Sequence, residues 1–341
     1  MKKLFIIAAA ASVALASCVK NEPVQTPNLG EAIKFEAPIV APSTKADTPV
    51  GTVQYPVDSE FFLYGWYHAS ADPDAFDNIY IPGVVVKKSG DNNWFAPTTT
   101  YYWPKSGLLS FFAYSPSVPT GTLNVSEITK AKSVALTYTV SQTPTAAGDD
   151  LLYSAWAVNK TSTNSTTTVG GYTGVEIVFN HALSAVVFNF TGAANMYKIT
   201  SVSLQGVGNS STLTSTPTSA VWAEPTVWAT TYNLGVTGEV SGSAISSNQF
   251  VLLPQTFTDV AKLVVSYSIK NPSKADEWIA QEPAEILLNS AKDGEKAAIS
   301  KWEMGKKYTY NVVFGEADVI KFAPSIKTNW VGVSGAFETI Q

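Results

Sequence analysis

Residues 175–190 read VEIVFNHALSAVVFNF, and their pattern decides the fold. Apolar side chains alternate along this run, as they do in a β-strand that buries one face. The parity of the alternation changes part-way: one parity holds Val175, Ile177, Phe179 and Leu183, and the other holds Val186, Phe188 and Phe190. Because neighbouring side chains of a strand face opposite ways, the change indicates a bulge or a hand-over between two sheets. We therefore place a domain boundary near residues 191–192.

Similar short strand patterns lie on both sides of this run. Residues 61–67 read FFLYGWY, which is typical of a strand buried on both faces, and residues 263–269 and 308–314 carry further apolar runs. Loops rich in Ser, Thr and Gly separate these runs, and the one helical pattern, at residues 290–302, is marginal. Many short strands between turn signals favour β-sandwiches. We predict an all-β chain with two tandem β-sandwich domains, at residues 33–191 and 192–341.

The N-terminus carries an export signal. Two lysines precede an apolar run at residues 4–16, which is too short to cross a bilayer but fits a signal peptide at residues 1–17. Residues 15–18 read LASC and resemble the bacterial lipobox, in which cleavage, here between Ser17 and Cys18, leaves an acylated N-terminal cysteine. Cys18 is the single cysteine of the chain, so it has no internal disulfide partner. The alternative is an ordinary signal peptide with an incidental cysteine.

A short strand pattern follows a Pro- and Asn-containing tether at residues 18–32. Residues 33–39 read IKFEAPI. Their alternation places one set of side chains on a buried face, namely Ile33, Phe35, Ala37 and Ile39, and it places Lys34 and Glu36 on the opposite face. We interpret this run as the first strand of the N-terminal sandwich.

Composition excludes several classes of function. The net charge is −5, and all 22 basic residues are lysines. An acidic chain without arginine is a poor nucleic-acid binder, because phosphate recognition depends on clustered basic groups. With two histidines and one cysteine, a zinc site of nitrogen and sulfur ligands is not expected either.

Catalytic motifs are missing from the sequence, so we predict no enzyme, no cofactor and no metal. His181 lies in a strand pattern and is interpreted as structural. Residues 72–77 read DPDAFD, which indicates an exposed acidic turn rather than a complete calcium loop. Asp149 or Asp150 could serve as a glycosidase carboxylate only with a second carboxylate that the sequence does not identify. Most of the nine tryptophans are expected in cores, with the loop from Trp222 to Trp228 as the best candidate for sugar stacking.

Taken together, the order of motifs resembles the fimbrillin-like (Mfa-like) proteins of Bacteroidales, which build type V pili. The matching pieces are LASC at 15–18, IKFEA at 33–37, TKA at 44–46, YYWP at 101–104, LSFFAYSP at 109–116, DLLYS at 150–154, VFNHALS at 178–184 and WEMGKKYTY at 302–310. They cover most of the chain. Each motif is weak alone, and their shared order is what makes the resemblance specific.

The resemblance implies transthyretin-like sandwiches, export as an outer-membrane lipoprotein, and assembly with other pilus subunits by β-strand addition. In polymerising subunits it also implies removal of the first strand after a basic residue, usually arginine. The corresponding bond here is Lys45–Ala46, which needs a lysine-cutting protease. The tail at residues 315–341 is the candidate donor strand, through Ile320, Phe322, Trp330, Val333 and Phe337. An uncut subunit keeps its first strand and is expected to act as an anchor.

Two functional hypotheses follow. The first is a structural subunit of a surface pilus that supports adhesion, with a host or bacterial receptor or glycan as a further partner. The second is a glycan-binding surface lipoprotein of a polysaccharide-uptake system, which shares the lipobox and the aromatic-rich sandwiches but needs neither a second cleavage nor a donor tail.

Overall fold

The computed structural model describes most of the chain after residue 30. The described residues are 31–41, 53–54, 60–71, 78–88, 94–96, 98–116, 122–126, 133–142, 150–169, 172–228, 230–274, 276–290, 298–315 and 320–327. Several residues that the sequence singles out lie outside these ranges: Ser17, Cys18, Lys45, Ala46, Trp330, Val333, Phe337, the signal peptide, and the acidic residues 72–77 and 149.

The all-β prediction is confirmed. The strands of the first half are β1 (Ile39–Val40), β2 (Val53–Gln54), β3 (Glu60–His68), β4 (Asn78–Lys88), β5 (Trp94–Phe95), β6 (Leu108–Ser115), β7 (Thr122–Ser126), β8 (Val134–Thr139), β9 (Leu152–Ser154), β10 (Ala157–Lys160), β11 (Thr167–Val169), β12 (Tyr172–Gly174) and β13 (Val178–His181). Those of the second half are β14 (Ser184–Gly192), β15 (Tyr197–Val207), β16 (Ser210–Thr216), β17 (Ser219–Trp222), β18 (Thr230–Asn233), β19 (Gly238–Glu239), β20 (Ile245–Ser246), β21 (Phe250–Leu252), β22 (Gln255–Thr256), β23 (Lys262–Lys270), β24 (Trp278–Ala280), β25 (Ala284–Leu287), β26 (Lys301–Trp302), β27 (Lys307–Phe314) and β28 (Ile320–Lys327).

Helical structure in the described part is limited to one 3₁₀ turn, Leu288–Ser290. The marginal helix predicted at residues 290–302 is wrong at its C-terminal end, because Lys301–Trp302 pairs as a strand with β22. Pairing of the Trp302 strand and burial of its indole outweigh a weak local helix preference. No helix among the described residues is long and apolar enough to cross a bilayer.

The N-terminal sheet has the order β2-β1-β13-β9-β6-β3-β4-β5, with β10 also pairing with β6. Its central strand β3 is buried on both faces, as its aromatic run predicts. Phe61 and Leu63 belong to one apolar cluster, whereas Tyr64 and Trp66 belong to another on the opposite face. The sheet therefore has a core on each side, and we call the cluster around Phe61 the N-terminal core.

Two further sheets form the C-terminal part. One has the order β20-β14-β27-β28, with β21 also on β14, and the other has the order β18-β15-β23-β24, with β19 and β25 as additional edge strands. Strands β14 and β27 run parallel over eight consecutive pairs, from Ala185–Lys307 to Gly192–Phe314. The rings of Phe188 and Tyr310, which are paired in this register, stack with their centroids 5.1 Å apart.

The parity change in residues 175–190 is a hand-over between sheets, as the sequence predicts. Strand β13 belongs to the N-terminal sheet, and β14 belongs to a C-terminal sheet, so the chain changes sheet at residues 182–183. The predicted boundary at residues 191–192 falls at the far end of β14. A four-stranded sheet, β17-β16-β8-β7, also joins strands from both sides of that boundary. The division into two domains stays a prediction.

Gly206 provides a test of the C-terminal packing. It lies at a bulge of β15 with φ +70°, and a Cβ atom there would come within 2.1 Å of the Val260 carbonyl oxygen. Gly235 has a similar φ of +66°, but a Cβ atom there meets nothing within 4 Å. We expect Gly235→Ala to cost about 1–2 kcal/mol, the backbone penalty alone. Gly206→Ala should cost clearly more, because the backbone of residue 260 must also move.

Chemical denaturation of both variants measures this difference. Equal free energies of unfolding for Gly206→Ala and Gly235→Ala would contradict the close approach of Val260 to β15.

Candidate functional site

Residues 31–41, which we call the closing segment, join the two ends of the N-terminal sheet. On one side, the amides of Ile33 and Phe35 donate hydrogen bonds to the carbonyls of Tyr101 (2.8 Å) and Trp94 (3.0 Å). Trp94 begins β5, the last strand in the order of the sheet. This side of the segment is therefore bonded to one end of the sheet.

The opposite side of the closing segment is bonded to the other end. The amide of Val175 donates to the Lys34 carbonyl (2.9 Å), and the amide of Glu36 donates to the Val175 carbonyl (3.1 Å). Further along, β1 runs parallel to β13. Because one extended segment reaches both ends of the sheet, the sheet curls and closes on itself. The segment acts as the closing strand.

A change of phase at Pro38 divides the closing segment. Before it, Phe35 directs its amide toward Trp94; after it, the amides of Ile39 and Ala41 point toward Ile177 (3.2 Å) and Phe179 (2.7 Å). A regular strand would send residues 35, 39 and 41 the same way. Proline has no amide proton and cannot continue a ladder, so the register slips there.

The structure corrects two sequence predictions about the segment's side chains. Ile33, Phe35 and Ala37 are buried as expected, but Ile39 is only half-buried and Val40 is buried instead. Glu36, predicted on the exposed face with Lys34, is completely buried, whereas Lys34 is exposed. For Ile39 and Val40, Pro38 was the available signal, since it marks where the alternation loses its phase. The burial of Glu36, which precedes Pro38, comes from its surroundings instead.

Phe35 anchors the closing segment in the N-terminal core. Its ring meets those of Phe111 and Phe61 edge to face, with centroids 5.6 and 6.2 Å apart. Phe61 in turn contacts Trp94 and Phe179, which lie at the two ends of the sheet (5.9 and 5.5 Å). Burial of Ile33, Phe35 and Val40 contributes roughly 1.5–3 kcal/mol each, or about 5–9 kcal/mol together as an upper estimate.

An apolar cavity of about 260 Å³ adjoins the closing segment. Its wall includes Ile33 and Phe35 from the segment and Leu63, Ile81 and Val86 from β3 and β4. The cavity shows that this flank of the segment is not packed to full density. Loss of the segment would merge the cavity with the space that the segment fills, leaving an open apolar groove between two strand edges.

The C-terminal tail lies in the protein's own sheet over its described part. Strand β28, which carries Ile320 and Phe322 of the predicted donor tail, pairs antiparallel with β27 over eight residues. It is the last strand in the order of that sheet. The tail is therefore an edge strand, held by hydrogen bonds to β27.

Comparison with known proteins identifies the family of this chain. The family model described as fimbrillin-like matches residues 57–330. The chain belongs to the fimbrillin-like family. No curated protein sequence matches it significantly.

Several solved bacterial structures resemble this fimbrillin-like chain. A protein of Bacteroides uniformis, provisionally described as a cell adhesion protein, has a TM-score of 0.53 and 17% identity, covering 89% of this chain and 99% of its own. A similarly described protein of Bacteroides ovatus has a TM-score of 0.51 and 16% identity, with the same coverage. The tip fimbrial protein Mfa3 of Porphyromonas gingivalis has a TM-score of 0.43 and 8% identity, covering 88% of this chain and 100% of its own.

A buried acid–base pair lies where this fimbrillin-like chain changes sheet. Asp150 Oδ2 is 2.6 Å from His181 Nδ1, and both side chains are buried. Burial raises the pKa of the Asp150 carboxyl, and the neighbouring His181 acts in the opposite direction. The pair bridges the start of β9 to the end of β13, next to the bond from the Ala182 amide to the Leu151 carbonyl (2.8 Å). The Asp150–His181 pair stabilises the segment in which the chain passes from one sheet to the next. This supports the structural interpretation of His181.

Most of the tryptophans that the structure describes in this fimbrillin-like chain serve packing. Five are buried: Trp66, Trp94, Trp103, Trp156 and Trp302. Trp222, the best sequence candidate for sugar stacking, packs against the core and donates its indole hydrogen bond to the Ala182 carbonyl (2.6 Å). Trp222 is thus partly occupied by internal contacts, and sugar stacking by the loop from Trp222 to Trp228 stays a prediction. Among the described residues, no group of three or more His, Cys, Asp or Glu side chains is placed to hold a metal ion.

Phe35 and its neighbour Lys34 allow a matched test of the closing segment. We expect Phe35→Ala to lower the free energy of unfolding by about 3–5 kcal/mol, because it empties the centre of the N-terminal core. Lys34→Ala removes an exposed side chain and should change stability by less than about 0.5 kcal/mol. Urea unfolding followed by tryptophan fluorescence measures both. A loss below about 1 kcal/mol for Phe35→Ala would show that the segment is not anchored there.

Proposed function

We propose that this protein is a structural subunit of a cell-surface pilus, exported as a lipoprotein and assembled by exchange of β-strands between subunits. Acylation of Cys18 would hold the new subunit at the outer membrane. Membership of the fimbrillin-like family supports the pilus role. Export and lipidation rest on the leader sequence.

The observation that carries strand exchange is the position of the closing segment. It is the only described backbone stretch that hydrogen-bonds both ends of the N-terminal sheet, at Trp94 and at Val175. Without it the sheet has two facing edges of unpaired amides and carbonyls, with an apolar groove between them. An extended segment from another subunit can satisfy both, since strand addition supplies main-chain hydrogen bonds and side-chain pockets together.

Cleavage after Lys45 fits this geometry. Lys45 lies in the sequence between β1 and β2, which pair with each other through Ile39–Gln54 and Val40–Val53. A cut there separates the closing segment covalently from the rest of the chain but breaks none of its described contacts. The estimated 5–9 kcal/mol of apolar burial is comparable with the ~5–15 kcal/mol that stabilises a whole domain. The cut segment therefore stays in place until an incoming strand displaces it.

The donor is assigned to the C-terminal tail. Strand β28 is bonded on one side to β27 and is the last strand of its sheet in the described part of the chain. In the described part of the chain, β28 has one ladder of hydrogen bonds to break before it can leave its sheet. Residues 315–341 would then supply the donor strand, with candidate side chains Ile320, Phe322, Trp330, Val333 and Phe337. A subunit that keeps its closing segment has no open groove, and we assign it an anchoring role.

The glycan-binding alternative is less well supported. It needs exposed aromatic rings in a polar recess, whereas the described tryptophans lie mainly in cores or, like Trp222, bond to backbone. Adhesion to a receptor or glycan remains compatible with a pilus subunit, and it requires no change in the assembly mechanism.

N-terminal sequencing of surface-released protein tests the cleavage. We expect released, polymerised molecules to begin at Ala46, and a Lys45→Ala variant to remain monomeric with its acylated Cys18. Lys34→Ala is the matched control, because it removes another lysine near the N-terminus while Lys45 remains.

Intact N-termini in every polymerised molecule would refute cleavage-driven assembly. Polymers of the Lys45→Ala variant would do the same. Binding to a glycan array that is lost on Trp→Ala substitution, by a protein that never forms oligomers, would favour the alternative.

A further inference from the structure

Glu36 is a buried carboxylic acid in the middle of the closing segment. Its side chain is 0% exposed, and neither carboxylate oxygen has a hydrogen-bond partner within normal geometry. Its backbone, in contrast, is fully engaged, since the amide donates to the Val175 carbonyl (3.1 Å). A buried, unsatisfied carboxylate is costly when ionised and much less so when protonated. The pilus role described above does not require such a residue.

The groups that face Glu36 come from three neighbouring parts of the chain. Glu176, the residue after Val175, is a second carboxylate beside it. The charge of Lys160, at the end of β10, opposes this repulsion, and the hydroxyl of Thr167 in β11 adds a polar interaction outside normal hydrogen-bond geometry. Lys34, on the segment itself, is exposed. The surroundings therefore disfavour the charged form of Glu36.

The pKa of Glu36 follows from this environment. Burial, and next the charge of Glu176, raise it from an ordinary 4.5 to about 7, although Thr167 and Lys160 act the other way. Once the closing segment leaves the sheet, Glu36 is in water and its pKa returns to the ordinary value. Below pH 4.5 both states hold the proton and the docked segment carries no penalty. As the pH rises from 4.5 to about 7, the docked segment is progressively destabilised relative to the released one.

We propose that Glu36 is a pH-sensitive latch on the closing segment: the neutral carboxyl retains the segment in the sheet, and the ionised carboxylate loosens it. The proposal deepens the strand-exchange function, on which its biological meaning rests. Acidic surroundings keep a cut subunit closed, and neutral or mildly alkaline surroundings make its groove easier to open for an incoming strand.

Release of the segment can be measured without relying on cleavage at Lys45. The chain from residue 19 is prepared with residues 44–47 replaced by the recognition sequence of a specific protease, and it is cut in solution. Dissociation of the N-terminal fragment is then followed by displacement with an excess of a labelled synthetic peptide of residues 31–41, between pH 5 and pH 8. We expect dissociation to be at least about tenfold faster at pH 8, since each unit of pKa shift corresponds to a factor of ten.

Three variants make the test specific. Glu36→Gln has the same shape without the charge, so its fragment should leave slowly at every pH, as the wild-type fragment does at pH 5. Glu31→Gln removes an exposed carboxylate of the same segment and should keep the wild-type pH dependence. Glu176→Gln removes the repelling neighbour and should reduce the pH dependence while leaving Glu36 in place, which provides a reading if Glu36→Gln folds poorly.

A wild-type rate that does not change with pH overturns the latch. An unchanged pH dependence of the dissociation rate in Glu36→Gln overturns it as well. The two histidines are still present in that variant, so such a result would assign the pH dependence to groups other than Glu36. If surface protein is never cut at Lys45 but the engineered chain shows the predicted slope, strand exchange fails and the latch stands. The two proposals therefore fail separately.

Discussion

The N-terminal sheet depends on one geometric requirement: the closing segment, which contributes β1 beside β13, must also reach the opposite end of the sheet at β5. Residues 31–41 meet this requirement with hydrogen bonds toward Trp94 on one side and Val175 on the other. Phe35 places its ring between strands from the middle of the same sheet, at Phe61 and Phe111. Closure removes exposed edges, which are otherwise sites of uncontrolled pairing. The same segment therefore completes the core and protects the edges, and both effects disappear together when it leaves.

Much of the fold could be predicted because it is encoded by short-range alternation. The parity change in residues 175–190 correctly indicated a hand-over between sheets, since side-chain direction in a strand is a local property. The aromatic run at Phe61 was recognised as buried on both faces for the same reason. The helix expected to reach Trp302 failed because a partner strand, β22, is distant in sequence and leaves no trace in the local pattern.

The candidate site was predicted in outline and missed in detail. Ile33 and Phe35 were identified as buried. The burial of Val40 depends on the slip at Pro38, and the burial of Glu36 depends on its pairing with Val175, about 140 residues later. Pairing between such distant segments is decided by tertiary packing, which an isolated strand pattern does not specify. Trp222 illustrates the same limit, because its hydrogen bond to the Ala182 carbonyl depends on a pairing of distant segments.

The closing segment is synthesised before all the strands that it pairs with. Its bonds run to residues 94–103 and 175–179, so the chain up to residue 179, just over half of its 341 residues, must be present before it can dock fully. Closing such long loops is entropically slow, and contacts of this range form late in folding. Under the same conditions the path of unfolding retraces that of folding, so we expect this segment to open before the strands that it covers. The segment that completes the sheet is therefore also the part that leaves it most easily.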